Sequence, residues 1–284
     1  MKERRYQRIG TWVVILSALI ILAVTYVPFV YVVANSFKDG AQFLEQPMAI
    51  LWTFHWQNYV EAWRGIGLYL GNTVIVGILS AVVSVAIAVP ASYFFAEIRV
   101  PGKNLIFTAF VGLLLIPWVL TIIPLYLEAH YFRIDNTWLA LIFPYAAGSQ
   151  PMFVYLFRTF FEGIPKELYE SARLDGAGEW KVLLRIVAPL SVPILMTGSI
   201  LVFNSVWGDY LWPQLVLNNY HLFTVSAGLQ LFVSQLSNTY TSLGLSGVGP
   251  EFAAYVIAML PIIALIIVTM KFFIQGVTSG SVKG

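Results

Sequence analysis

The sequence predicts an all-α integral membrane protein with six spanning helices. Three observations lead there. Of its 284 residues, 59% are hydrophobic and only 11% charged, whereas a soluble globular domain carries about 25% charged residues. Six apolar stretches reach the length needed to cross the hydrocarbon, roughly 20 residues for about 30 Å. Lysine and arginine gather in alternate connections between those stretches, the asymmetry that orients helices in a bilayer.

The spans are expected at Trp12–Ala34, Gly67–Ala96, Leu105–Leu127, Trp138–Phe161, Leu190–Leu211 and Phe252–Phe273. They form a single transmembrane domain over 1–284, with a charged connection at 162–189 and a tail at 274–284. The first apolar run exceeds the 7–15 residues of a signal-peptide core and lacks a cleavage site, so it reads as a retained helix. Pro28, Pro90, Pro117 and Pro144 fall in or near the spans. There neighbouring helices can satisfy the freed carbonyls, and a kink is tolerated. One side of the membrane receives Lys2, Arg4, Arg5, Arg8, Arg99, Lys103, Arg158, Lys166, Arg173, Lys181, Arg185, Lys271 and Lys283. The other receives Lys38, Arg64 and Arg133. The rich side is expected to be cytoplasmic, with both termini on it. The outer connections are long. Trp56 to Trp63 reads as a short interfacial helix, and Gln214–Glu251, with its asparagines, serines and glycines, reads as a long loop of functional or disordered character.

Enzymatic chemistry finds little support. With no cysteine in the chain, disulfides, thiolate metal sites and thiol nucleophiles are excluded. His55, His130 and His221 are far apart and read as solvated loop residues rather than metal ligands. The sequence has neither a phosphate loop nor a nucleophile elbow. No catalytic and no metal-binding residue is assigned.

Two segments carry polar groups that invite a function. Around Asn204, Trp207, Asp209 and Tyr210, aromatic and polar side chains interleave near the end of the fifth span. This suits a sugar path, with rings stacking on sugar faces and amides and carboxylates meeting hydroxyls. The alternative puts Asp209 at the outer interface as a cap, with Trp207 and Trp212 as belt residues. The second segment begins at Glu162. Pro165 can open a helix, Lys166–Leu174 continue it, and Gly176 can close it in a left-handed turn. Ala177-Gly178 leave a small-residue corner, and a second helix runs from Glu179 until broken near Pro189. The segment is either a solvated connector or a helix lying across the membrane face, ready for another protein's groove.

Glu170-Ser171-Ala172-Arg173-Leu174-Asp175-Gly176-Ala177, with Ala188-Pro189 downstream, resembles the Glu-Ala-Ala loop of bacterial ABC-importer permeases. Ser171 replaces an alanine, and Ala188 the leucine before the proline. Asn72-Thr73, Pro101-Gly102, Pro124-Leu125-Tyr126, Asp135-Asn136-Thr137 and Phe157–Phe161 are similar to the carbohydrate branch. Trp207–Pro213 resembles that branch too, with Gly208 and Asp209 in place of Asn-Glu. The tail, Gly276–Gly284, resembles that of the MalG-type permease.

The resemblance implies the type I ABC-importer permease fold with a cytoplasmic coupling helix, in a bacterial or archaeal inner membrane. Glu170, Ser171, Ala172, Asp175, Gly176 and Ala177 would dock an ABC ATPase dimer. Thr278, Gly280 and Lys283 in the tail would reach the same ATPases. A second, MalF-like permease, an extracytoplasmic sugar-binding protein and membrane lipid would be the other partners; nucleic acid is not among them. This chain would bind no cofactor, ATP and Mg being held by the ATPases. The solute would be a di- or oligosaccharide, or else a glycerol-phosphate diester or uronic-acid oligosaccharide. A stand-alone secondary carrier or membrane enzyme is the competing class.

Overall fold

The computed structural model describes residues 2–49, 54–242 and 247–278. Every regular element among them is helical. In chain order these are α1 (Lys2–Asn35), α2 (Gly40–Glu45), α3 (Gln57–Glu97), α4 (Lys103–Gly112), α5 (Trp118–Tyr131), α6 (Leu139–Phe161), α7 (Lys166–Leu174), α8 (Glu179–Val182), α9 (Ala188–Leu190), α10 (Val192–Gly208), α11 (Leu211–Val216), α12 (Val225–Ser242) and α13 (Val248–Thr278). Short 3₁₀ turns lie at Leu113–Leu115 and Tyr220–Leu222, and a π turn at Leu183–Val187.

Among the described residues, Thr11–Asn35, Gln57–Glu97, Leu139–Phe161 and Val248–Met270 are each long and apolar enough to cross a membrane. Two further spans arise if bent pairs are counted as one each. These are Lys103–Leu115 with Trp118–Tyr131, bent by 99°, and Glu179–Leu190 with Val192–Gly208, bent by 78°. The third predicted span is therefore broken, not kinked. Ile116 is extended at ψ 115°, as a residue before proline prefers, and Pro117 at ψ 132° restarts the chain as the cap of α5. Pro28, Pro90 and Pro144 instead stay inside their helices.

Three further expectations are corrected. The short helix at Trp56–Trp63 is not separate: α3 begins at Gln57 and runs unbroken into the second span. No proline interrupts that stretch, and Gly65 faces Phe232, whose ring would lie 2.2 Å from an added Cβ. The expected loop at 214–251 contains α11, the 3₁₀ turn and the 18-residue α12. Its polar residues mask an apolar stripe that buries Ala227, Phe232 and Leu236. His130 lies in the last turn of α5, its Nδ1 3.4 Å from Asp135 Oδ2.

The chain divides into two compact units, Met1–Gly67 with Leu231–Leu260, and Leu68–Gln230 with Pro261–Gly284. In the first, the buried Lys38 donates from Nζ to the carbonyls of Gln46 (2.8 Å) and Pro47 (3.1 Å). Burial lowers its pKa. Asn58 Nδ2 donates to the carbonyls of Ser36 and Lys38. Gly249 lies so close that an added Cβ would stand 2.3 Å from the Lys38 carbonyl oxygen.

In the second unit α6 is the central element, burying Phe153, Phe157 and Phe161 at successive turns. Gly198 of α10 packs onto that ladder; a Cβ there would sit 2.8 Å from Phe157 Cζ. Polar side chains tie the connections down. Asn72 Nδ2 donates to the carbonyls of His221 (2.7 Å) and Phe223 (2.9 Å), and Thr73 Oγ1 accepts from the amide of Val225 (2.6 Å). Asn136, left-handed at φ 56°, accepts at Oδ1 from the amides of Asn218 and Asn219.

Candidate functional site

Two sites belong to the second unit: a helical corner at 165–182 and a cavity between α6 and α10. The corner begins where Pro165, extended at ψ 131°, caps α7. No β-branched residue follows in Lys166–Leu174, so the χ1 crowding that such residues suffer in a helix is avoided. Glu167 in the first turn and Arg173 in the last both oppose the helix dipole favourably. Tyr169 and Ala172, three apart and so on one face, are buried.

The helix stops as the sequence leads one to expect. Gly176 takes φ 75°, a conformation that costs an L-residue with a Cβ but not glycine. Its amide donates to the Arg173 carbonyl (3.1 Å), and the Ala177 amide to the Ala172 carbonyl (2.9 Å). These are the two bonds of a Schellman motif, and they satisfy carbonyls the helix end would leave open. Beyond it α8 passes into the π turn at Leu183–Val187, and the chain bends at Ser191.

Glu170, Ser171, Asp175 and Gly176 are exposed, and Ala177 is half-buried. Ala172 differs from them: its side chain is covered by this chain itself. Its contribution to the corner is the carbonyl that accepts from Ala177. Large apolar side chains stand out beside the exposed set, Leu174 at 88% and Trp180 at 68% exposure. Exposed apolar surface of that kind fits a contact with protein or with membrane.

Beneath the corner lies a cluster that sequence reading missed. Arg173 forks onto Glu179, with Nε 3.0 Å from Oε1 and Nη2 3.2 Å from Oε2. Its Nη2 is also 3.9 Å from Glu97 Oε2. The Tyr93 hydroxyl donates to Glu179 Oε2. The hydrogen bond to Glu179 raises the Arg173 pKa. Burial first, then the Glu97 charge, raises that of Tyr169. The mixed charges of this segment hinted at pairing, but Tyr93 and Glu97 sit at the end of a span with nothing nearby in sequence to point at Glu179.

The cavity, about 520 Å³, is lined by Trp118, Pro144, Tyr145, Gly148, Ser149, Val202, Asn204, Ser205, Gly208 and Asp209. Asp209 closes α10 as its C-cap. Its Oδ1 accepts from the amides of Leu211 (2.9 Å) and Trp212 (3.2 Å), and its Oδ2 from the Tyr145 hydroxyl (3.0 Å). The carboxylate thus turns the chain from α10 into α11 and also faces the cavity. Of the four residues expected along a path, Asn204 and Asp209 line it and Trp207 and Tyr210 do not. Trp207 is buried and stacks on Phe203 with ring centroids 5.6 Å apart. Trp212 is fully buried, its Nε1 donating to the Ala140 carbonyl at 2.9 Å. Neither tryptophan forms an interfacial belt. Tyr145, Trp118 and Ser149 escaped sequence reading because nothing local distinguishes them from ordinary span residues.

Thr278 is the last residue of α13. Gly280 and Lys283, the other two tail residues, lie outside the described residues.

Residues 67–279 match the family described as binding-protein-dependent transport system inner membrane component, and the chain belongs to that family. It is 34% identical over 285 residues to the probable ABC transporter permease protein YurM of Bacillus subtilis, covering 100% of this chain and 92% of that protein. It is 28% identical to the trehalose/maltose transport system permease protein MalG of Thermococcus litoralis, covering all of both chains. The arabinooligosaccharides transport system permease protein AraQ of Halalkalibacterium halodurans is also 28% identical, over 99% of this chain. Among solved structures, a chain of a bacterial ABC transporter that imports the acidic polysaccharide alginate superimposes with a TM-score of 0.83 at 22% identity, covering 95% of this chain and 98% of that one. That likeness shows the fold. Family membership also decides between the classes left open by sequence: the chain is a permease subunit of an ABC importer, not a stand-alone carrier or an enzyme.

Proposed function

We propose that this chain forms half of the membrane path of an ATP-driven sugar importer, pairs with a second, MalF-like permease, and is driven by an ABC ATPase dimer docked on α7. The reading is carried by the capped corner itself. A short helix closed by a Schellman turn presents Glu170, Ser171, Asp175 and Gly176 beside Leu174 and Trp180. ATP and Mg reside on the ATPases, and closure of their dimer drives α7. The tail residues Thr278, Gly280 and Lys283 reach the same subunits. The distribution of basic residues supports a cytoplasmic side for the corner and both termini, in a bacterial or archaeal inner membrane. An extracytoplasmic binding protein delivers solute to the opposite side.

A neutral di- or oligosaccharide is the favoured solute. The relatives above are named for trehalose, maltose and arabinooligosaccharides. Among the described residues Asp209 is the sole charged one lining the cavity, and a carboxylate there repels glycerol-phosphate diesters and uronic acids while accepting hydrogen bonds from sugar hydroxyls. Asn204 adds an amide, and Trp118 a ring face. Mass spectrometry of the ligand held by the cognate binding protein, with uptake into proteoliposomes of the full complex, tests this. A neutral saccharide transported at the expense of ATP is expected; an anionic ligand, or transport by this chain alone, overturns the reading.

A further inference from the structure

Docking α7 onto a motor explains where force enters but not how it reaches the spans. Most of α7 is exposed, and only Tyr169 and Ala172 are buried. A helix of two and a half turns seated on two side chains is free to roll under load. What holds it is the polar cluster on its inner side. Tyr169 and Arg173, one turn apart on α7, face Tyr93 and Glu97, one turn apart at the end of α3. The Tyr93 and Tyr169 rings lie 6.4 Å apart at 32°. The Tyr169 hydroxyl donates to the Phe161 carbonyl at the end of α6 (3.1 Å). Glu179, the first residue of α8, receives the Arg173 fork from one side and the Tyr93 hydroxyl from the other.

We infer that Arg173, Glu179 and Tyr93 form a latch that makes α7, α8 and the end of α3 move as one piece, so that displacement of the docked helix is delivered to the second span. These are positioning residues and need not touch the ATPase. Arg173 and Glu179 side chains are 37% and 45% exposed, and at such exposure an ion pair adds little to stability. The two-pronged geometry is its contribution, because a bidentate guanidinium fixes direction as well as distance. Glu97, 14% exposed and 3.9 Å from Arg173, gives the guanidinium a second hold on α3. Tyr169 ties the same helix to α6, so a motion of α7 is divided between two spans instead of lost in the connecting turn.

The inference rests on the proposed docking of an ATPase at α7, and the test separates the two. The chain has no cysteine, so paired spin labels can be placed on it at Lys166→Cys and Val100→Cys and attached before it is assembled with its partner subunits. The complete complex is reconstituted with its ATPase, partner permease and binding protein. In the parent, ATP should leave the 100–166 distance narrow and unchanged as both ends move together. In Glu179→Ala and in the isosteric Tyr93→Phe, the distribution should broaden on ATP addition. Solute carried per ATP should fall at least several-fold while the ATPase still co-purifies. Arg173→Lys, which keeps the charge and loses the fork, should recover only part of the ratio. A parent complex that fails to hold the ATPase refutes the docking reading. A parent that holds it, with variants unchanged in distance and ratio, refutes the latch alone. Variants that lose the ATPase altogether also refute the latch, because the cluster then shapes the docking surface instead.

Discussion

Replacing Gly176 separates two reasons for a glycine at the α7 corner: backbone conformation and close approach of a partner. Its φ is 75°, and an added Cβ would meet nothing within 4 Å. Within this chain the side chain is therefore free of clashes, and the cost of Gly176→Ala is conformational, about 1–2 kcal/mol for a left-handed alanine. Asparagine tolerates that region far better. A penalty of this size changes the open fraction of the corner by roughly 5- to 30-fold. The amides that report it are those of residues 176 and 177, which close the turn onto Arg173 and Ala172. Hydrogen exchange on a peptide spanning 166–182, in detergent and without ATPase, should accelerate by about that factor in Gly176→Ala and by much less in Gly176→Asn. With the ATPase present, the asparagine side chain projects into the docking face, so Gly176→Asn should impair ATP-coupled uptake despite its intact corner. Equal exchange in the two variants would refute the conformational argument. Full uptake by Gly176→Asn would refute close approach by a partner.

Other substitutions test the rest of the second unit. Asn72→Ala removes the donor shared by the His221 and Phe223 carbonyls and should cost about 1–3 kcal/mol, read as a lower thermal midpoint in detergent; an unchanged midpoint would show that water replaces the amide. Asp209→Asn keeps an acceptor for the Leu211 and Trp212 amides and should retain the midpoint while reducing uptake. Asp209→Ala also loses the cap, worth about 1 kcal/mol. Wild-type uptake by Asp209→Asn would reduce this residue to a helix corner. Gly228→Ala places a Cβ 2.1 Å from the Tyr69 ring and should destabilise by about 1–3 kcal/mol. Tyr69→Ala in the same chain should relieve the clash, and failure to relieve it would mean that the helix backbone, not the ring, sets the packing.

What the sequence determined by itself is what local chemistry determines. Long apolar runs must be helical in lipid because every backbone group has to be bonded within its own segment. Pro165 and Gly176 act through their own torsions, so α7 and its Schellman end are legible before any fold is known. The motif from Glu170 to Pro189 is likewise contiguous, and it led to the family from the chain alone. Only the tertiary structure decided which proline breaks a helix: Pro117 turns the chain through 99° while Pro28, Pro90 and Pro144 remain inside helices. It also decided that Trp56–Trp63 joins α3 and that α12 lies where polar residues suggested a loop. The role of Asn72 and the contact of Asp209 with Tyr145 are equally out of reach of a linear reading, since those partners stand 149 and 64 residues away; only the cap that Asp209 forms on Leu211 and Trp212 is local. The latch and the cavity wall are assembled from such distant pairs. A residue's own torsions and the periodicity of its neighbours extend over a turn or two, while hydrogen-bond satisfaction of a buried polar group is settled by whatever segment the fold brings alongside.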